Sequence, residues 1–115
     1  MSYLGLTKQI LQDGLPEDKL IECFDIPNIP VIQQAILKII KKDINNDKVH
    51  IKLLECNKYM ENRFKILGPC RLGHLSIYAL KKLGYHDDFK VRYQGLSKYD
   101  KELVDMLETA LKDIE

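Results

Sequence analysis

The chain has 115 residues, 45% hydrophobic and 30% charged, with a formal net charge of +1. That is the size of one domain or a short run of repeats, with enough apolar side chains for a real core. It contains no run of about eighteen apolar residues that could cross a bilayer, and its start lacks the basic and apolar regions of a secretory leader, so a cytoplasmic protein with no membrane partner is expected.

Leu4 to Asp13 reads as a short helix with Leu6, Ile10 and Leu11 on one side, ended by Gly14. Pro16 fits the first turn of the next helix. Glu17 and Asp18 follow at its positive end, and Leu20, Ile21 and Phe24 form its apolar face. Pro27 and Pro30 bracket a corner in which Asn28 is placed to cap the helix that follows. That helix, Val31 to Lys42, has a broad face of Val31, Ile32, Ala35, Ile36, Ile39 and Ile40. Its β-branched residues lower intrinsic propensity, so packing must hold it. The polar run from Asp43 to Asp47 reads as a turn, with Asp47 placed to cap the next element.

Residues 48–60 are ambiguous. Val49, Leu53, Leu54, Cys56, Asn57 and Met60 fit a helical stripe, which is the favoured reading, and residues 64–67 are then irregular or a short turn. The alternative is a small α+β domain with strands near 49–54, 64–67 and 89–93, but no Asn-Gly or Asp-Gly hairpin signal joins those runs. After the Gly68-Pro69 turn, Leu72, Leu75, Ala79, Leu80 and Leu83 make a stripe that stops at Gly84, with Lys81 and Lys82 in the last turn. Tyr85 to Asp88 reads as a polar corner. Asp100 to Ile114 reads as the last helix, with Leu103, Met106, Leu107, Ala110, Leu111 and Ile114 on its face. Lys101 with Asp105, and Glu108 with Lys112, stand one turn apart on its outer side.

Three stripes share a pattern. Val31, Ala35, Ile36 and Ile39 match Leu75, Ala79, Leu80 and Leu83, and also Met106, Ala110, Leu111 and Ile114. A small residue at the centre of each lets a neighbouring helix approach closely, and periods of this size suit helical repeats. On these residues, and above all on 73–84 (GHLSIYALKKLG), the chain resembles HEAT-like or armadillo-like repeats. The resemblance implies an all-α fold, a short right-handed stack of antiparallel helix pairs forming one domain over 1–115. It also implies a binding scaffold without catalysis or cofactor, whose partner is another protein or a second copy.

Two further readings rest on particular residues. Residues 38–92 carry thirteen basic and six acidic side chains between more acidic ends, which suits nucleic acid or another polyanion. Within that segment, Lys58, Arg63, Lys65, Arg71 and His74 surround a glycine- and proline-punctuated helix start, where amides and guanidinium groups could hold an anion or a partner. Tyr59, Tyr78, Tyr85 and Tyr93 interleave with the basic residues as stacking candidates. Cys70 lies four residues before His74, and a helix start beside Arg71 lowers a thiol's pKa, so a thiol-dependent enzyme or regulator centred on Cys70 is the third reading. Cys23, Cys56 and Cys70 are too widely spaced for a zinc knuckle and odd in number, so they read as buried hydrophobes. His50 and His86 have no partner at a telling spacing. No phosphate loop, HExxH, CxxC or GxSxG motif is present, and no metal or cofactor is expected.

Overall fold

The computed structural model describes residues 3–12, 14–61 and 65–111. Most of these residues are helical. The elements are α1 (Tyr3–Leu11), α2 (Glu17–Glu22), α3 (Ile29–Lys42), α4 (Asp47–Cys56), β1 (Lys65–Leu67), β2 (Cys70–Arg71), α5 (Leu72–Lys82), α6 (His86–Gln94) and α7 (Lys98–Ala110). A 3-10 turn at Cys23–Asp25 prolongs α2.

Local chemistry explains most of the boundaries. Asn28 caps α3, its Oδ1 accepting from the Val31 amide at 3.1 Å. Asn46, not Asp47, caps α4, with Oδ1 3.0 Å from the Val49 amide, while Asp47 sits in the first turn where its charge suits the dipole. Ser97 caps α7 by accepting from the Asp100 amide at 3.1 Å, so this helix starts earlier than its apolar stripe suggests. Gly84, at φ 92°, ends α5 in a conformation that side chains rarely adopt.

Among the strand candidates, 49–54 and 89–93 are helical, in α4 and α6. Residues 65–67 are not a turn; they form β1, and its partner is β2 immediately downstream. Gly68 has φ 55° and Pro69 follows it, the glycine-first form of a two-residue hairpin loop. Lys65 stands opposite Arg71 and Leu67 opposite Cys70, with an irregularity between Lys65 and Leu67. Helix α4 also ends at Cys56 rather than at 60.

The helices form two layers. In the outer layer α2 and α4 are parallel: Asn46 Nδ2 donates to Glu17 at their starts (2.9 Å), and Lys52 Nζ, just past the middle of α4, reaches Asp25 in the 3-10 turn beyond α2 (2.7 Å). Helix α6 joins the same layer, since Tyr85 Oη donates to the Asn46 carbonyl and His50 meets Asp88. In the inner layer α5 and α7 are parallel, with His74 against Asp100 at their starts and Lys81 near Glu108 at their ends. Asn45 Nδ2 donates to the Leu83 carbonyl (3.1 Å), which places the end of α3 beside the end of α5. Helix α1 packs on α3 and completes the row α1, α3, α5, α7.

Helix α5 is the centre of this arrangement. Every residue from Leu72 to Leu80 is buried, because α3 and α7 flank it and α4 and α6 pack on it from the other layer. The stripes of α3 and α5 face the core as their periodicity indicates, Ala35 and Ala79 included. That of α7 does not. Leu103, Val104, Leu107 and Leu111 are buried, whereas Met106 is 50% exposed and Ala110 is also exposed. On α1, Ile10 is buried and Leu11 is 59% exposed. The expected face position Ile114 lies outside the described residues.

Gly73 fixes how α4 is joined to α5. Its amide donates to the Tyr59 carbonyl at 2.9 Å. A Cβ at this position would stand 2.9 Å from that carbonyl oxygen and 2.4 Å from Met60 Sδ. Met60 can yield, but the backbone oxygen yields only by displacing the chain. Gly73→Ala is therefore expected to destabilise the fold by about 1–3 kcal/mol, although alanine is the better helix former. Urea unfolding of both proteins measures this, and an unchanged or raised midpoint would contradict the close approach.

Candidate functional site

The start of α5 holds most of the residues that the sequence singles out. His74 is the third residue of the helix and fully buried. Its Nδ1 accepts from the Arg71 amide at 2.9 Å, taking the place that a glutamate side chain fills in a capping box. That bond leaves the ring proton on Nε2, which donates to Asp100 Oδ1, also at 2.9 Å. Asp100 is held from its other side by the Ser97 hydroxyl at 3.0 Å. Both ring nitrogens are thus occupied inside the fold. Burial holds the imidazolium down, against the raising effect of the Asp100 hydrogen bond and charge. For Asp100, burial acts upward, but hydrogen bonds from His74 and Ser97 outweigh it and keep the carboxyl below its usual range.

Cys70 is not paired with His74. Its thiol is buried and donates to the Leu103 carbonyl, with Sγ 3.5 Å away. Burial pushes the thiol up and Arg71 opposes this only in part, the reverse of the lowered pKa expected at a helix start. Cys23 and Cys56 are buried as well, and burial pushes Cys56 up to about 12. Among the described residues, no group of three His, Cys, Asp or Glu side chains could hold a metal ion.

The residues expected to hold an anion are Lys58, Arg63, Lys65, Arg71 and His74. Lys65 is exposed on β1 opposite Arg71, Lys58 lies over the Tyr59 ring at 5.3 Å, and His74 is turned inward. Arg63 lies outside the described residues. The Gly73 amide, which could have faced an anion, is taken by the Tyr59 carbonyl. The tyrosines are spread too. Tyr78 is buried, Tyr85 stacks on His50 with centroids 4.2 Å apart, and Tyr93 stacks on Phe89 and donates to Asp105. Lys101 lies over the Tyr93 ring at 5.7 Å, and Glu108 stands 3.9 Å from Lys81. Lys112 lies outside the described residues.

Two features have no simple signal in the sequence. One is the contact of His50 with Asp88, half-exposed, with the imidazole stacked on Tyr85. The partners are 38 residues apart, so only the packing of α4 against α6 reveals them. The other is a groove of about 860 Å³ between α2 and α4. Ile21 and Ile51 line it, and Glu17, Asp18, Glu22 and Asp47 give it an acidic rim. The first turns of both helices were legible as acidic, but their adjacency was not.

Two measurements check this site. His74 has a folded pKa below 6.5, so an unfolded chain takes up a proton there at a pH where the native chain does not. The stability that this contributes is complete above pH 6.5 and is lost as pH falls below it, with Asp100 adding in the same direction at more acid pH. The urea midpoint should fall between pH 7 and about pH 5, and His74→Gln should flatten that fall; equal slopes would refute the link. In the native protein a disulfide reagent at pH 8 should titrate the three buried thiols slowly, and all of them at once in denaturant. Fast native reaction at Cys70 would restore the thiol reading.

Comparison of the chain with known proteins gives no match to a family model, to a curated protein or to a solved structure.

Proposed function

We propose that the chain is a short HEAT-like helical stack that binds another protein and carries out no catalysis. The observation that carries this reading is the layering. Helices α2 and α4 run parallel in one layer, where the start of α6 meets the start of α4; α3 and α5 run parallel to α7 in the other, and α1 covers the first end of the inner row. Helix axes packed side by side are about 8–10 Å apart, so four in a row with their side chains span roughly 35–40 Å. The long dimension of the molecule is 40 Å, against 28 and 26 Å in the other two. A row of this kind presents helix backs and grooves rather than a central pocket, which suits recognition of a macromolecule.

The two alternatives draw less support. The basic residues of 38–92 fall on several elements. Lys41, Lys42, Lys81 and Lys82 occupy the last turns of α3 and α5, where they complement helix dipoles, and Lys52 pairs with Asp25. The buried thiol of Cys70 is spent on the Leu103 carbonyl, and among the described residues no catalytic group bonds to it. Three free, buried cysteines suit a reducing compartment, in keeping with a cytoplasmic protein. Among the described residues no helix is long and apolar enough to cross a membrane.

Affinity capture with the purified chain, followed by lysine cross-linking, tests the reading. One recurrent protein partner is expected, cross-linked through Lys48 or Lys52 of the outer layer. Light scattering in parallel identifies a second copy as that partner. A folded, monomeric chain that retains nothing above an unrelated bait would overturn the proposal.

A further inference from the structure

Helices α2 and α4 contribute matching faces to the groove between them. On α2 and the 3-10 turn that prolongs it, Glu17, Ile21 and Asp25 follow one another at four-residue intervals; on α4, Asp47 and Ile51 do the same. Each isoleucine therefore sits one turn beyond a carboxylate. Ile21 is buried and forms floor, but Ile51 remains 56% exposed, the larger part of its side chain in contact with water. An aliphatic residue left in water between two helix backs gains free energy in proportion to the apolar area that a partner covers.

The charge around that apolar strip is one-sided. Asp25 and Lys52 answer each other at 2.7 Å. Of the remaining charged lining residues, Glu17, Asp18, Glu22 and Asp47 oppose Lys48 alone. Glu22 also has Lys19 at 3.2 Å, an exposed pair whose mutual stabilisation is small. Acids in the first turns of α2 and α4 serve the helix dipoles, but Glu22 stands at the other end of α2, so dipole compensation does not account for the whole rim. From Glu17 to Asp25 the wall is about 12–14 Å long, at about 1.5 Å per residue along α2 and about 2.0 Å along the 3-10 turn.

From this we infer that the α2–α4 groove docks a basic amphipathic helix of a partner protein, an aliphatic anchor covering Ile51 and lysines or arginines one turn to either side facing Glu17, Asp18, Glu22 and Asp47. The inference rests on the protein-binding reading above and names the partner's chemistry. A helix-in-groove contact of this kind obtains its specificity from the anchor and its on-rate from the charges.

The probe is a synthetic helical peptide of leucines at three- and four-residue spacing on an otherwise lysine-rich sequence, with a glutamate-for-lysine analogue as control. Titrated at low salt into the isotopically labelled full chain, the lysine peptide should shift the backbone amides of Asp18, Ile21, Asp47 and Ile51 saturably. The glutamate analogue should not. Glu22→Lys and Ile51→Asn, both at exposed positions, should each weaken the peptide severalfold, and raising the salt to about 0.3 M should weaken it further. Circular dichroism confirms that the variants fold. Equal binding of the two peptides, shifts centred elsewhere, or no shift at millimolar peptide would each overturn the inference. A cellular partner whose capture ignores both variants would overturn it too while leaving the protein-binding reading intact, whereas a chain that captures no partner would count against that reading.

Discussion

A helix that is buried on every side must satisfy every polar group it carries, and α5 carries several. The constraint reaches through the rest of the molecule. His74 can be buried because Arg71 supplies a proton donor to one ring nitrogen and Asp100 an acceptor to the other. Ser76 can be buried because its hydroxyl donates to the Gly73 carbonyl and accepts from Asn57. The Gly73 amide finds the Tyr59 carbonyl. Leaving one such group without a partner costs about 1–3 kcal/mol, so the neighbours of α5 are placed by hydrogen bonds as well as by apolar contact. The bonds to His74, Ser76 and Gly73 tie α7, the end of α4 and the link after it to one helix turn.

The residues that serve this purpose are those whose spacing suggests chemistry. Cys70 and His74, one turn apart beside an arginine, have the look of an activated thiol. In the fold they diverge, the thiol toward the Leu103 carbonyl and the imidazole toward Asp100. Both hold the start of α5 against α7. The same side chains that would make a reactive pair in a cleft make a fastening when water is excluded, because desolvation disfavours the thiolate and the imidazolium alike.

What could be read from the sequence was local. The stripes on α3 and α5, the Asn28 cap, the glycine stop at Gly84 and the predominance of helix all follow from spacing and side-chain chemistry within one turn or two. The hairpin carries neither Asn-Gly nor Asp-Gly at its turn; Gly68-Pro69 is the other two-residue solution, so of the three alternative strand runs the one at 64–67 has its partner immediately downstream. On α7 the apolar residues allow two phases; Met106 and Ala110 belong to the one that packing rejects, and Val104 to the one it selects. The paired acidic residues of the groove, and the meeting of His50 with Asp88, depend on which helices become neighbours. Periodicity within a helix is silent about that. The basic bias of residues 38–92 was also legible, but a linear count of charge does not reveal that many of the lysines sit at the ends of helices.

Helix α6 has no fully buried residue. It is held by half-buried rings, Phe89 and Tyr93, on the edge of the core and by contacts near the surface: Asp88 on His50, Tyr93 on Asp105, and the Phe89 ring beneath Lys81 at 5.8 Å. Elements anchored in this way have small free energies of local opening, whereas a helix enclosed on all sides opens only with the whole molecule. The chain therefore joins its most protected helix to its least protected one through Gly84 and Tyr85. Amide exchange along it should be steeply graded, and a transient release of α6 would uncover one flank of α5 while the row of inner helices stays assembled.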